Sequence, residues 1–259
     1  MCLIAWNWQP ESILPLVLLS NRDEFYQRPA MPLHWWPPDE NGSRVLAGRD
    51  LQAGGTWLGV TATGRLAALT NYRTTAPLRM NAPSRGALVA DFLLGSVAAT
   101  DYLQALSTQA HQYNPFNLLV FDGRNLMGLE SRGARIVHMA PGVGAVSNAD
   151  FHTPWPKVRR LTAGFRAATD TQPSSLLVQR TSSLVALLHD RNLAMDSDLP
   201  ATGIALDLER ALSAVFIATP FYGTRASSVV SIGRKGVEFV EESWGAEGLS
   251  STHTERFRL

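Results

Sequence analysis

Residues 116–148 read FNLLVFDGRNLMGLESRGARIVHMAPGVGAVSN, and their pattern decides the fold. Four apolar runs of strand length follow one another: FNLLVFD, NLMGLES, ARIVHMA and GVGAVSN. Short turns at Gly123, Gly133 and Gly142 are all that separates them. Turns that short join antiparallel neighbours, because parallel strands need a crossover of a dozen or more residues. The stretch is a meander, and the rest of the chain is read outward from it.

Upstream, Asn114-Pro115 closes a helical region. Ser84 can cap a segment whose Leu88, Val89, Phe92 and Leu93 share one face, and Thr100 can cap another with Leu103, Leu106 and Ala110. Before these lie the strand-length runs Leu3–Trp8, Leu14–Ser20, Thr56–Thr61 and Arg65–Asn71, punctuated by Pro10, Asn41-Gly42, Gly54-Gly55 and Gly64. The stretch EFYQRPAMPLHWWPPDENGSR, residues 24–44, has four prolines and four aromatics. It is expected to be an irregular loop that walls a pocket with Trp35 and Trp36.

Downstream, Thr153 is expected to cap a helix with Pro154 at its first position. Val158, Leu161, Phe165 and Ala168 would line its buried face, and Lys157, Arg159, Arg160 and Arg166 its solvated one. Ser174 is expected to start a further helix through Leu177, Leu184, Val185 and Leu188. The strands AVFIAT, SSVVSI, VEFVEESW and THTERFRL close the chain. Strands and helix pairs come in blocks without alternating, which argues against a doubly wound parallel sheet. The expected fold is α+β, a four-layer αββα sandwich of two antiparallel sheets covered by helix pairs. No internal repeat or boundary interrupts it, so residues 1–259 are read as a single domain.

Composition narrows the function classes. The chain is 45% hydrophobic and 17% charged with a formal net charge of +1, which fits a folded protein and gives no electrostatic drive toward nucleic acid. Its one cysteine, Cys2, excludes an internal disulfide and a thiolate zinc cage, and points to a reducing compartment. No Lys or Arg precedes Arg22, and the apolar run Ile13–Leu19 is broken by Pro15 and too short to span a bilayer. The reading is a cytoplasmic protein without membrane insertion. There is no G-x-S-x-G elbow and no His-Glu-x-x-His, the six histidines are scattered, and the glycines around Gly142 do not make a dinucleotide fingerprint. No cofactor or metal is called for.

The position of Cys2 carries a specific chemistry. Removal of Met1, which aminopeptidases perform when the second residue is small, would give one residue both a thiol and a free amine. The thiolate is the nucleophile, and an α-amine with a pKa near ~7.7–8.0 suits a base at neutral pH. Four other runs end in polar groups that can serve such a site. SNRDEF brings Arg22, which would lower a neighbouring thiol's pKa, and Asp23 and Glu24, either of which can hold an ammonium. LAALTNYR delivers Asn71 and Tyr72, GVGAVSNA delivers Asn148, and FYGTR delivers Arg225. An asparagine amide at a strand end suits an oxyanion hole. GTWLG surrounds Trp57 with small residues.

Taken together, Cys2, SNRDEFYQRP, GGTWLG, LAALTNYR, YNPFNLLV, VSNA, TPWPK and FYGTR resemble the NRDE family, relatives of the transport and Golgi organisation protein 2. The resemblance runs from residue 2 to about residue 244. It implies an N-terminal-nucleophile hydrolase-like fold and an NRDE-type αββα domain. By analogy with cysteine amidases of that superfamily, it implies catalytic roles for Cys2, Arg22, Asp23 or Glu24, Asn71, Asn148 and Arg225. Trp35, Trp36, Trp57 and Tyr72 are the expected substrate-binding residues. In those amidases the acid usually lies three residues after the arginine, whereas Asp23 and Glu24 follow Arg22 at once, so the choice between them stays open. Two functions follow. One is hydrolysis of a non-peptide C–N amide bond in a small acyl conjugate. The other is a non-catalytic carrier that uses the same pocket for haem or for an acyl-CoA or lipid-like ligand, as the family's links to haem movement and lipid balance imply.

Overall fold

Strand β2 (Leu16–Phe25) is buried over its first eight residues, on both faces. Leu16 and Leu18 point into one apolar cluster, with Ile4, Trp6 and Trp8 of β1 (Cys2–Trp8). Val17 and Leu19 point into another, with Leu3 and Ala5. A strand that is apolar on both faces needs a layer on each side of it, and the computed structural model supplies both. It describes residues 2–40, 42–170 and 181–259.

Two all-antiparallel sheets stack face to face. The first has six strands in the order β10-β1-β2-β11-β12-β13, with β10 at Gly142–Val146, β11 at Tyr222–Gly233, β12 at Gly236–Gly245 and β13 at Gly248–Arg258. The second has seven strands in sequence order: β3 (Ala30–Trp35), β4 (Val45–Asp50), β5 (Leu58–Thr61), β6 (Leu66–Asn71), β7 (Phe116–Phe121), β8 (Leu126–Glu130) and β9 (Arg135–His138). Between the sheets lies a core of Trp6, Leu18, Leu58, Leu119, Val230 and Phe239, among others. Helices α1 (Arg85–Leu94) and α2 (Ala99–Gln109) cover the outer face of the seven-stranded sheet through Leu88, Phe92 and Leu103. Helices α3 (Pro156–Asp170) and α4 (Thr181–Leu187) cover the six-stranded sheet through Val158, Leu161, Phe165 and Leu184. The four layers are those the block order of the sequence implies.

Several elements differ from the sequence reading. Part of the expected loop is a strand: Ala30–Trp35 forms the outermost strand of the second sheet, with a register shift between Met31 and His34 that accommodates Pro32. An edge position with a shift is where a strand tolerates proline. Strand β4 follows the proline-rich stretch and offers only Val45-Leu46-Ala47 as an apolar run before Gly48-Arg49-Asp50, too little to mark it as a strand. Helix α3 begins at Pro156 instead of Pro154, since the Thr153 hydroxyl donates back to Asp150 O (2.8 Å) and does not cap the helix. Thr100 does not cap α2 either. The Ala99 N–H that opens the helix is taken by the Asp122 carboxylate at 3.0 Å. A short helix α5 (Leu206–Ala211) was not foreseen. The expected start at Ser174 lies outside the described residues.

One carboxyl ties the sheets together. Glu241 of β12 is buried, and its Oε1 accepts the Leu33 N–H of β3 at 2.7 Å while Oε2 accepts from Ser228 Oγ at 3.3 Å. Burial pushes its pKa from 4.5 up to about 7, and hydrogen bonds from Leu33 and Ser228 and the charge of Arg22 only partly oppose it. A carboxyl raised in the folded state stabilises the protein fully below its unfolded pKa, and that contribution is lost as pH rises through the folded value. Glu241→Gln keeps the acceptor and removes the titration, so it is expected to match wild type at pH 4 and to exceed it at pH 8. The gain at pH 8 is about 3 kcal/mol, read as several degrees of Tm in a thermal melt at each pH.

Candidate functional site

Antiparallel pairing in the six-stranded sheet sets Cys2 of β1 directly opposite Arg22 of β2. Directly paired side chains stand on the same face with Cβ atoms roughly 4.5–5.5 Å apart. Both point to the end of the sandwich where a cavity of about 380 Å³ opens, walled by Cys2, Arg22, Asp23, Glu24, Asp50, Trp57, Asn71 and Arg85, among others. Leu78 and Met80 form its exposed apolar rim.

Arg22 is held by the opposite sheet. Its guanidinium lies 4.4 Å from the Trp57 ring centroid, and Nη2 donates to Asp50 Oδ2 at 3.2 Å. Arg28 donates to the same oxygen at 2.7 Å, and the backbone N–H groups of Gln52 and Ala53 take Oδ1 at 3.0 Å each. Burial raises the Asp50 carboxyl, but these hydrogen bonds and the two arginines outweigh it and hold the group below the usual carboxylate range. The Trp57 ring packs closely on β4 because residue 48 is glycine: a Cβ there would come within 2.4 Å of the indole. Gly55 meets the start of α1 in the same way, where a Cβ would lie 2.3 Å from the Gly86 carbonyl carbon. The small residues around Trp57 are thus what brings α1, with Arg85 at its first turn, onto the cavity.

The end of β2 divides its polar residues between faces. Asn21 turns away from the cavity, and its Nδ2 donates to Leu188 O (2.8 Å) and Val215 O (2.9 Å), tying down the chain after α4 and before β11. Asp23 is buried, and its Oδ1 accepts from Thr224 Oγ1 at 2.8 Å. Burial raises its pKa, and the positive charge of Lys157 is the largest opposing effect among the side chains. Glu24 sits on the rim, bound to the Phe25 N–H (2.9 Å) and facing Arg28 at 3.8 Å. The Cys2 thiol is pushed up by burial and by the charge of Asp23, against the pull of Arg22 and a hydrogen bond from the Asp23 backbone N–H.

A clasp between the sheets forms the floor. Asn148, just after β10, donates Nδ2 to Asn71 O at 2.8 Å, and Arg73 N–H donates to Asn148 O at 2.7 Å. Asn148 Oδ1 accepts from Ser147 Oγ (3.1 Å) and Lys157 Nζ (3.4 Å), and Ser147 Oγ also reaches Cys2 O at 3.3 Å. One amide hydrogen of Asn148 is therefore committed to the clasp, whereas Asn71 lines the cavity itself.

The expected residues thus separate. Cys2, Arg22, Asp23, Asn71 and Trp57 converge on one cavity. Arg225 lies beyond it, where β11 shifts register between Thr224 and Ala226. Its guanidinium donates to Phe25 O, Tyr26 O, Arg28 O and Trp244 O at 2.9–3.1 Å, so it pins the turn that presents Arg28. Trp36 is buried on the outer side of the second sheet with Nε1 on Ala47 O (3.2 Å), and Trp35 packs edge-on to Phe257. Tyr72 receives a hydrogen bond from Arg132 at the surface. None of these four lines the Cys2 cavity, because alternation along β3 and the turn after β6 aim them elsewhere. Sequence reasoning missed Asp50, Arg85 and Lys157. Lys157 was expected in solvent but is 1% exposed. Among the described residues no group of three or more His, Cys, Asp or Glu is placed to hold a metal ion, and no helix is long and apolar enough to cross a membrane.

The sequence model of a family described as Transport and Golgi organisation 2 matches residues 1–246. The chain is similar to the Transport and Golgi organization protein 2 homolog of Bos taurus, 36% identical over 280 aligned residues, covering all of this chain and 99% of that protein. The Homo sapiens homolog is 32% identical with the same coverage, and the Drosophila melanogaster protein is 27% identical over 94% of this chain and 92% of its own length. Two crystal structures of the conjugated bile acid hydrolase from Clostridium perfringens, one a mutant and one a variant, are similar to the whole chain. They cover 92% and 97% of those chains, at 12% and 10% identity with TM-scores of 0.45 and 0.48. At those scores neither carries an argument about the chemistry here.

Because the clasp uses the side chain of Asn148 but the main chain of Asn71, the two asparagines have different expected costs. Asn148→Ala leaves the Asn71 carbonyl and Lys157 without their partner and is expected to lose about 1–3 kcal/mol. Asn71→Ala keeps the clasp and should stay within about 0.5 kcal/mol of wild type. Urea denaturation of both variants checks the ordering.

Proposed function

The chain belongs to the Transport and Golgi organisation 2 family, and we propose that it is a cysteine amidohydrolase that cleaves a non-peptide C–N amide bond in a small acyl conjugate. The observation that carries this reading is the pairing of Cys2 with Arg22 in a cavity that also holds a buried acid and an asparagine. On this reading residues 1–259 act as one domain, and the protein works in the cytoplasm with Met1 removed.

Each residue then has a task. The α-amine of Cys2 takes the thiol proton, and Asp23, the buried acid of the pair, holds the resulting ammonium. Glu24, already occupied by Arg28 at the rim, is the weaker candidate. The thiolate attacks the amide carbon, and the amide π electrons move onto oxygen. Asn71 donates to that oxyanion from the cavity wall, with Asn148 holding the Asn71 main chain in place. Arg22 stabilises the thiolate and is itself fixed by Trp57 and Asp50. The C–N bond then breaks, the ammonium gives its proton to the departing nitrogen, and a thioester remains on Cys2. Water adds to the thioester, with the amine again taking a proton, and releases the carboxylic acid and the free thiol. The apolar rim of Leu78 and Met80 beside Trp57 suits an acyl chain.

The second reading is a carrier that keeps the cavity and uses it for an acyl or haem ligand. It is favoured by burial that raises the Cys2 thiol and by relatives whose names speak of transport.

The two readings part at the amine. A nitrile reagent such as cyanobenzothiazole forms a stable ring only where amine and thiol share one residue, and Cys2 is the chain's one cysteine. Intact mass of the denatured protein is expected to show loss of one methionine and gain of one reagent. With a panel of acyl amides, Cys2→Ala should abolish acid release, and wild type quenched early should carry an acyl group. Retained Met1 with no stable adduct would rule out the amine as base and leave the carrier reading.

A further inference from the structure

Lys157 and Lys235 are the only lysines among 23 cationic residues; every other cation is an arginine. Lys235 is exposed on a turn, while Lys157, in the first turn of α3, is 1% exposed. Arginine stays charged at any pH a protein meets, whereas a buried lysine can lose its proton. A chain that otherwise uses arginine has placed its one buried lysine behind the Cys2 site.

The surroundings of Lys157 are fully specified. Its Nζ donates to Asn148 Oδ1 at 3.4 Å, and Asn148 in turn holds Asn71 O. The charged and titratable groups that act on it are Asp23 on β2, Arg73 after β6, Cys2 on β1 and Glu209 on α5. Arg73 and Glu209 are closed on each other at 2.6 Å, both nearly buried. That leaves Asp23 and the Cys2 thiol as the acidic groups Lys157 answers to.

We propose that Lys157 is the positioning residue of the Cys2 site: its ammonium anchors the Asn148–Asn71 clasp and offsets the Asp23 carboxylate, so that loss of its proton disfavours the Cys2 thiolate. Burial lowers the lysine to about 8, with Asp23 and Cys2 opposing and Arg73 assisting. Below that pH the ammonium offsets part of the Asp23 charge that raises the Cys2 thiol; above it that offset is lost, while Arg22 and the Thr224 hydroxyl still act on the pair. The two titrations are therefore coupled, and each is spread over a wider pH range than one ionisation would cover.

This inference deepens the amidohydrolase reading and rests on it only for its purpose. Thiol alkylation needs no turnover, so a protein that alkylates as expected but cleaves no amide would sink that reading and leave Lys157 in place. The rate of Cys2 alkylation by iodoacetamide is to be followed from pH 6 to 10 in wild type, Lys157→Arg and Lys157→Met. The arginine variant keeps its charge throughout and should show one steep ionisation at the lowest midpoint. The methionine variant should show one ionisation at the highest, and wild type should be broadened between them, with extremes about one pH unit or more apart. Any inflection from the α-amine persists in all three and is thereby separated. A variant-free arm covers failure to fold. In wild type labelled with 13C-lysine there are two lysine signals, and Lys235 serves as the exposed reference. Alkylating Cys2 removes the thiolate that favours the Lys157 ammonium; because burial raises the thiol, that thiolate forms on the alkaline side, and it is the alkaline limb of the Lys157 titration that should move to lower pH. Superimposed alkylation profiles, or a Lys157 titration whose alkaline limb stays in place when Cys2 is blocked, would overturn the proposal.

Discussion

The contact of the Arg22 guanidinium with Trp57 and Asp50 is the one on which the site depends. Arg22 comes from the middle of the six-stranded sheet, and both partners come from the seven-stranded one. Apart from this contact, the Glu241 carboxyl and the Asn148–Asn71 clasp, the sheets meet mainly through apolar side chains, which adhere without fixing direction. At this end a charge has to be matched inside the protein, because Arg22 is 4% exposed. A buried charge is tolerated only when paired and hydrogen-bonded, so the position of Arg22 fixes that of Asp50, and Asp50 fixes the turn carrying Gln52 and Ala53. Cys2 inherits its place from the register of β1 on β2.

The polar end of the sandwich is built from strands that outrun their apolar cores. β2 ends in Asn-Arg-Asp-Glu, β6 in Thr-Asn and β10 in a Ser-Asn turn. Each of these residues has a partner in another element: Asn21 after α4, Thr70 with Asn117, Asn148 with Asn71. Backbone carbonyls take many of these bonds, which keeps the network rigid with few side chains. The network is not closed throughout: Asn21 Oδ1, Arg22 Nη1 and Asn117 Oδ1 are buried without a hydrogen-bond partner, and in a low-dielectric interior such groups are costly.

Much of this was legible in the sequence, for identifiable reasons. The meander from Phe116 to Asn148 shows itself through glycine turns and β-branched runs, and the order of strand and helix blocks follows from periodicity alone. Arg22, Asp23 and Asn71 could be picked out because polar residues directly after a buried run need a reason to be there, and Cys2 because it is the chain's one cysteine and stands directly behind Met1. What periodicity does not encode is which face meets which neighbour. Trp35 and Trp36 were read as pocket walls from their bulk, but β3 is an edge strand that turns one ring toward Phe257 and the other onto the helix side. Arg225 lies in the right motif, yet the register shift of β11 carries its guanidinium to three carbonyls of the turn after β2. Lys157 was read with Arg159 and Arg160 as part of one solvated face, although the next turn of α3 was correctly seen as buried. A cation on the boundary between faces belongs to neither by pattern. Asp50 ends a strand whose apolar run is only Val45-Leu46-Ala47.

The placement of β1 has a consequence for how the protein is made. β1 is an interior strand, flanked by β2 on one side and β10 on the other. Its first neighbour emerges from the ribosome almost at once, but its second follows only after about 130 further residues, roughly 7–26 s at ordinary elongation rates. Lys157, Thr224 and the rest of the pocket come later still. Throughout that interval the segment holding Cys2 has one unpaired edge and no covering helix, so enzymes that modify nascent chains can reach it. Once β10 and α3 dock, the strand is paired on both edges and covered on its outer face, and Cys2 can be reached only through the cavity. The timing of synthesis thus gives the amino-terminal segment a period of accessibility that the finished fold withdraws.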